Sequence, residues 1–318
     1  MSVDDVANYA LDLQTLRIVQ AIADTGTITG AAKYLGYSQP AVSQHLRKLE
    51  SRLELPIIDR VGRSVRLTEA GRVIARHAIT INSAVKAVSE ELAELSGMRT
   101  GQVRIAAFPT ASSTIVPAIL LELADRYPGI AASYVEAEPP EAVEMLRNGT
   151  VDVVLTFSYT GKHDDPHRAS TTGLAVATVF EDEIMLALPE SRWGPDAQLS
   201  LDQLSEEKWI TGCERCKQHL LEVCEDVGFN ATAPLQTENY AALLAMVGGG
   251  LGVGLVSRLA LSGVPIPDGV FLRRFPPIGP RRIHLVTSPT ARHVPSIAAT
   301  LNVIFELGGE RWGMTVPS

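Results

Sequence analysis

The chain has 318 residues, of which 46% are hydrophobic and 20% charged, and carries a formal net charge of -8. That length suffices for two or three domains with proper cores, and the composition excludes a disordered polymer, a collagen-like chain and a disulfide scaffold. The first ten residues contain Asp4 and Asp5 and lack the basic and apolar segments of an export signal. No run reaches the ~18 apolar residues of a membrane helix, so a cytoplasmic protein with no membrane partner is expected.

The net charge is unevenly spread. From Thr25 to Thr80 nine Lys/Arg stand against four Asp/Glu, whereas from Met98 onward 17 stand against 25. A locally basic segment on an acidic carrier suits a module that approaches nucleic acid.

Leu13, Leu16, Ile18, Val19 and Ile22 recur at helical spacing, and Gly26 closes that helix. A second, short helix with Thr27 or Thr29 as its cap buries Ala31, Ala32 and Leu35 and ends at Gly36. Ser38 then caps a third helix from Gln39 to about Leu53, with Pro40 in the first turn, where its missing N–H costs nothing. Beyond Pro56 the chain reads as a hairpin with a basic, glycine-containing tip, a wing bearing Arg63 and Arg66. Thr68 and Glu69 open a long helix to about Ser96. Along it Ile74, Ala78, Ile81, Val85, Val88, Leu92 and Leu95 alternate at spacings of 4 and 3, the seam of a coiled coil, so this helix is expected to pair with a second copy.

Met98 to Gly101 reads as a hinge. Strands and helices then alternate: strands at Val103–Phe108, Ala131–Glu136, Val151–Thr156 and Ile184–Leu188, and helices near Ser113–Tyr127, Pro140–Asn148, Cys216–Val227 and Tyr240–Val247. Apolar strands between helices imply α/β lobes with parallel-type sheets and a ligand cleft between them. The expected division is a winged helix-turn-helix at 1–67, a linker and dimerisation helix with its hinge at 68–100, and a sensor domain at 101–318. Within the sensor, lobe 1 takes about 101–180 and 275–310, and lobe 2 about 181–274.

A helix-turn-helix needs small residues where its helices touch, a tight turn, and short polar side chains at the start of the recognition helix. Ala31-Ala32, Gly36-Tyr37-Ser38 and Gln39-Pro40-Ala41-Val42-Ser43-Gln44 supply these in order. Thr29, Ser38, Gln39, Pro40, Ser43, Gln44 and Arg47 are the candidate groove contacts, with Arg63 and Arg66 on phosphate or in the minor groove.

The stretch TGTITGAAKYLGYSQPAVSQHLRKLESRL, then Asp59-Arg60 and RLTEAG at Arg66 to Gly71, resembles the LysR-type transcriptional regulators. The resemblance continues at Tyr127-Pro128-Gly129, Leu146-Arg147-Asn148-Gly149 before Val151-Asp152, and Gly250 to Gly254. It implies a winged helix-turn-helix, a linker-helix dimer, a two-lobed periplasmic-binding-protein-like sensor, and a homodimer that usually assembles into a tetramer. The chain departs from the family's pattern at Glu54, commonly Gly, at Ile57-Ile58, commonly Leu-Phe, and at Ser257, commonly Pro.

In proteins that resemble this one, small effectors sit between the lobes, held at the loop after the first sensor strand. Here that loop carries Thr110, Ala111 and Ser112, opposed by Thr156, Phe157, Ser158, Thr211, Thr237 and Asn239. Capping and turn chemistry compete for each of these. Cys213, Cys216 and Cys224 leave three readings open: packing thiols, a partial metal signature with His219, or, as in peroxide-sensing family members, a disulfide switch of Cys224 with Cys213 or Cys216. Gly248 to Gly254 fits no G-x-G-x-x-G frame, and there is no P-loop, nucleophile elbow or H-E-x-x-H, so neither an enzyme nor a cofactor is expected. The expected partners are an operator in double-stranded DNA, a small-molecule effector of metabolite type, further copies of the chain, and RNA polymerase. The alternative is a small enzyme or binding lobe fused to a DNA-binding module.

Overall fold

The computed structural model describes residues 11–61, 64–95, 101–159, 166–194, 199–274 and 278–317. Three helices come first: α1 (Leu13–Thr25), α2 (Ile28–Leu35) and α3 (Gln39–Leu53). Each is capped by its own sequence, since Asp12 accepts from the Thr15 N–H, Thr27 from Gly30 and Ser38 from Ala41. Thr27, not Thr29, is thus the cap of α2. Gly26 and Gly36 end the first two helices in the left-handed conformation that glycine adopts freely. Glu54 does the same after α3 at φ 53°.

The wing is a hairpin of β1 (Ile58–Val61) and β2 (Ser64–Leu67), with Ile58 opposite Leu67. Glu50 Oε1 accepts from the N–H groups of Ile57 and Ile58 at 2.9 and 3.3 Å, so α3 itself holds the start of the wing, and the Ile57-Ile58 departure leaves the hairpin intact. Leu16, Ile22, Ala32, Leu46, Ile57 and Val65 close this module's core. A side chain at Gly71 would run into the Ile57 carbonyl oxygen, which is why the next helix can start so close to the wing.

That helix, α4 (Glu69–Leu95), has two uses. Its first turns bury Ile74 and Ala78 in the core of the winged module. Further along, Ile79, Lys86, Ala87 and Glu90 lie on its buried or half-buried side, and lobe 1 covers it there. Buried Glu90 accepts from the Ser296 N–H and hydroxyl at 3.1 and 2.9 Å, and Lys86 Nζ lies 3.0 Å from Asp152.

The sensor holds two mixed five-stranded sheets. Lobe 1 is built of β3 (Gly101–Ala107), β4 (Ile130–Glu136), β5 (Val153–Tyr159), β6 (Ala175–Asp182) and β12 (Arg281–Thr287), in the order β4-β3-β5-β12-β6. Lobe 2 is built of β7 (Ile184–Pro189), β8 (Lys208–Thr211), β9 (Thr232–Gln236), β10 (Val253–Ser257) and β11 (Val270–Arg274), in the order β11-β7-β10-β8-β9. Four strands of each sheet run in one direction, three of them paired side by side in parallel. β12, antiparallel to β5 and β6, and β7, antiparallel to β10 and β11, are the reversed strands of these otherwise parallel-type sheets. Covering helices include the single turn α5 (Pro109–Ser112), α6 (Ile115–Arg126), α7 (Pro139–Arg147), α8 (Pro166–Ser170), α9 (Glu214–Val227), α10 (Tyr240–Gly248), α11 (Arg258–Gly263) and α12 (Pro295–Glu306).

The chain crosses between sheets twice, at Asp182-Glu183-Ile184 and between Arg274 and Arg281, so β6 runs two residues past the expected edge of lobe 1. Lobe 1 also extends past 310, because Glu181 and Thr315 exchange backbone hydrogen bonds. Among the described residues no helix is long and apolar enough to cross a membrane.

Candidate DNA-reading face and interlobe cleft

Helix α3 divides cleanly. Val42, Leu46 and Leu49 face the core, while Gln39, Pro40, Gln44, Arg47 and Lys48 are exposed and Ser43 is half-buried. Pro40, Gln44, Arg47, Lys48, Ser51 and Arg52 line one shallow open depression, and spacings of four, three and four along Pro40, Gln44, Arg47 and Ser51 put these four on a single helical stripe. Part of the polar set is occupied internally: Ser38 caps the helix, Gln39 Nε2 donates to Ser43 Oγ at 2.9 Å, and Arg47 Nε donates to the Ser43 carbonyl at 3.3 Å. Gln44 and the guanidinium end of Arg47 are left to reach outward. Thr29 on α2 and Arg66 on β2 are exposed as well. Arg63 lies outside the described residues.

Of the seam on α4, Ile74 and Ala78 are consumed by their own module's core. Ile81, Val88 and Leu92 are exposed, at 39%, 57% and 60%, and Val85 is half-buried. Ile81, Val88 and Leu92 share one side of the helix, opposite Lys86 and Glu90, which bind lobe 1, while Val85 stands at the edge between the two sides.

Between the lobes the dominant side chain is one the sequence does not advertise. Arg281, the first residue of β12, is 1% exposed. Its Nε donates to Asp182 Oδ2 at 2.7 Å, and its Nη2 donates to Thr110 Oγ1 at 2.7 Å and Ser257 Oγ at 2.8 Å. The guanidinium also sits 5.1 and 5.0 Å from the ring centres of Phe108 and Phe157. Burial opposes its charge, but Asp182, with Tyr240 and Tyr159, outweighs that and holds the guanidinium firmly protonated. Ser257, where the family commonly has Pro, thus binds Arg281 and caps α11 through the Ala260 N–H.

Thr110, Ala111 and Phe157 meet at this cluster. Ser112 is half-buried close by, accepting from the Tyr134 hydroxyl. Ser158 and Thr156 belong to the opposite face of β5, because successive strand residues alternate, and Ser158 pairs there with His284 at 2.8 Å. Thr211 ends β8 just before Gly212 and Cys213. Thr237 and Asn239 serve a turn and a helix cap: Thr237 Oγ1 accepts from the Asn239 N–H and Asn239 Oδ1 from Ala242.

The cysteines separate into two groups. Cys213 stands at the cap position of α9 and Cys216 one turn in, with their Sγ atoms 2.9 Å apart. The Tyr159 hydroxyl, from lobe 1, donates to Cys216 at 3.4 Å. The hydrogen bond from Cys213, and then Tyr159 and Arg281, outweigh burial and draw the Cys216 thiol below its ordinary range, while Cys213 keeps its proton. Glu138 of lobe 1 also faces Cys213. Burial first, and then Glu238, hold its carboxyl above the usual range.

Cys224 lies in the lobe 2 core, where burial pushes its thiol up to about 12. It stands eight residues from Cys216 and eleven from Cys213 on or beside one unbroken helix, about 12 and 16 Å along the axis, against the roughly 7 Å that a disulfide tolerates between Cα atoms. Of the readings left open for the cysteines, the disulfide of Cys224 with Cys213 or Cys216 does not fit this geometry: the adjacent pair is Cys213 and Cys216. Among the described residues no group of three His, Cys, Asp or Glu side chains could hold a metal ion.

Residues 96–308 match the family model of the LysR substrate binding domain, and residues 13–72 match that of bacterial regulatory helix-turn-helix proteins of the lysR family. The chain is similar to the uncharacterized HTH-type transcriptional regulator YvbU of Bacillus subtilis, with 25% identity over 304 residues covering 95% of this chain and 99% of that one. It is also similar to a probable hydrogen peroxide-inducible genes activator of Mycobacterium avium, 27% identical over 310 residues, covering 94% and 95%. A full-length OxyR variant from Pseudomonas aeruginosa shares the fold at a TM-score of 0.67, with 18% identity over 92% of this chain and 94% of that one.

Proposed function

The chain belongs to the LysR family of transcriptional regulators, and from that premise we propose that Gln44, Arg47 and Arg66 read and grip operator DNA while a small effector acting at the Thr110–Arg281 cluster sets regulatory state. The observation that carries this reading is the stripe on α3: its apolar side is spent on the core, and its polar, basic side faces outward beside the wing. Gln suits the adenine edge and Arg the guanine edge or phosphate. The exposed Ile81, Val88 and Leu92 support pairing through α4, which would present two such stripes to two half-sites of one operator. The location is cytoplasmic on this reading, the relatives are transcriptional regulators, and no catalysis is assigned.

The test is selection of bound duplexes from a random library by the full-length chain. Recovery of a sequence with two related half-sites supports the reading; enrichment of no sequence overturns it.

The 2.9 Å approach of Cys213 and Cys216 favours a second reading, a thiol switch in the same cleft. The Cys216 thiolate would attack a peroxide, giving a sulfenic acid and releasing the other oxygen as water. Cys213 would then displace the second oxygen as water and close a disulfide, so that two thiols lose two electrons and two protons in all. Peroxide treatment followed by peptide mass analysis tests it: a Cys213–Cys216 cross-link is expected, and two persistently alkylatable thiols contradict it.

A further inference from the structure

A cavity of about 490 Å³ lies where the DNA-reading module, α4 and lobe 1 meet, and it shares no lining residue with the α3 stripe or the Arg281 cluster. Its volume falls in the range of small-molecule sites, roughly 300–1,000 Å³. The charged part of its wall is mainly cationic. Arg17 comes from α1, Lys86 from α4 and Arg104 from β3, and the single carboxylate in the lining is Asp152. Lys86 and Arg104 share that carboxylate at 3.0 and 2.9 Å, and Arg17 has neither a hydrogen bond nor an ion pair among the described residues. Lys86 also lies 4.0 Å from buried Glu90, so three cations stand against two carboxylates and the positive charges outnumber the negative by one, that of Arg17. The rest of the wall mixes aliphatic side chains, among them Ile79, Val85, Leu146 and Val151, with neutral polar ones such as Asn82 and Asn148.

We propose that this junction is a second ligand site, one that takes a small monocarboxylate with an apolar body. The carboxylate would meet the unpaired guanidinium of Arg17, and the hydrocarbon would cover the aliphatic part of the wall. Because the wall is drawn from three structural units, such a ligand would tie them together. The same junction is already pinned by Gln20, whose Nε2 donates to the Arg147 carbonyl at 2.8 Å and whose Oε1 accepts from Asn82 Nδ2 at 2.8 Å. A bound carboxylate would add a bridge beside this pin and fix the DNA-reading module on its own sensor lobe.

The test uses the full-length chain with phenylacetate as anionic probe and benzylamine as its cationic counterpart, followed by methyl NMR and by a change in melting temperature. Saturable phenylacetate binding at concentrations up to about 10 mM, with shifts at Val85 and Ile79 and none from benzylamine, is expected. Arg17→Gln, an exposed position whose loss leaves the fold intact, should weaken binding at least about tenfold, whereas Thr110→Val in the interlobe cleft should leave it unchanged. No saturable shift at Val85 and Ile79, equal binding in Arg17→Gln, or loss in Thr110→Val would each overturn the proposal. None of these outcomes depends on operator binding, so failure here leaves the DNA-reading assignment standing.

Discussion

Arg281 and Asp182 form a buried ion pair at the place where the chain crosses between the two lobes, with Nε and Oδ2 2.7 Å apart and both residues essentially without solvent contact. Asp182 ends β6 and its other oxygen accepts from the Leu259 N–H at the start of α11 in lobe 2. Arg281 opens β12 and reaches Thr110 in lobe 1 and Ser257 in lobe 2. One charge pair thus joins both crossings and both lobes, and any ligand that enters beside Thr110 acts on it directly.

Removing one member of such a pair leaves an uncompensated buried charge. Arg281→Met should therefore cost about 3–5 kcal/mol in urea unfolding. Adding Asp182→Asn, which keeps an acceptor for Leu259, should cost clearly less than the sum of the two single changes. Strict additivity would show that the two residues do not act as a pair.

Little of this pair is legible in the sequence, and the reason is physical. Arg is almost never fully buried unless paired, so a pattern reading places it outside. β12 itself, Arg-Arg-Ile-His-Leu-Val-Thr, starts with two charges and carries a histidine, which masks a central strand. The short strands β8, β9 and β11 have four or five residues each and offer too little periodicity to stand out. The helix-turn-helix was legible because caps, glycines and apolar spacing agree over every element. The seam on α4 was legible as a period, but not its division: only the folded module shows that Ile74 and Ala78 turn inward while Val88 and Leu92 remain outside.

His219 stacks on Tyr159 at 3.9 Å, its ring is buried, and it contacts the Ile278 carbonyl at 3.2 Å. Burial pushes its pKa down to about 4, against 6.5 for a free imidazole. The folded chain then binds fewer protons than the unfolded chain between these values. The stability owed to neutral His219 is complete above pH 6.5 and is lost as pH falls towards 4, by about 3 kcal/mol at most. His219→Phe should flatten that part of the stability profile; an unaltered slope between pH 6.5 and 4 would contradict the assignment.

Glu54 is the single non-glycine residue with positive φ among the described residues. The left-handed conformation costs an ordinary residue about 1–2 kcal/mol, part of which glycine returns through its freer unfolded state. Glu54→Gly should accordingly stabilise the winged module by up to about 1 kcal/mol, read as a rise in melting temperature with DNA affinity unchanged. A fall would mean that the Glu54 side chain makes a compensating contact.

Val88 and Leu92 lie exposed on the side of α4 that faces away from lobe 1. Val88→Asp should convert dimers to monomers in sedimentation while leaving the monomer's thermal stability within about 0.5 kcal/mol, as for a surface change. An unchanged sedimentation coefficient would remove this stripe from the dimer contact.

The central claim is that the outward stripe of α3 reads bases. Fluorescence anisotropy of Gln44→Ala on the selected operator and on random duplex, at one fixed salt concentration, tests it most directly. The account predicts a loss of about 1–3 kcal/mol on the operator and none on random duplex, since a base contact confers preference and a phosphate contact does not. Equal affinities for wild type and variant on both duplexes would contradict it.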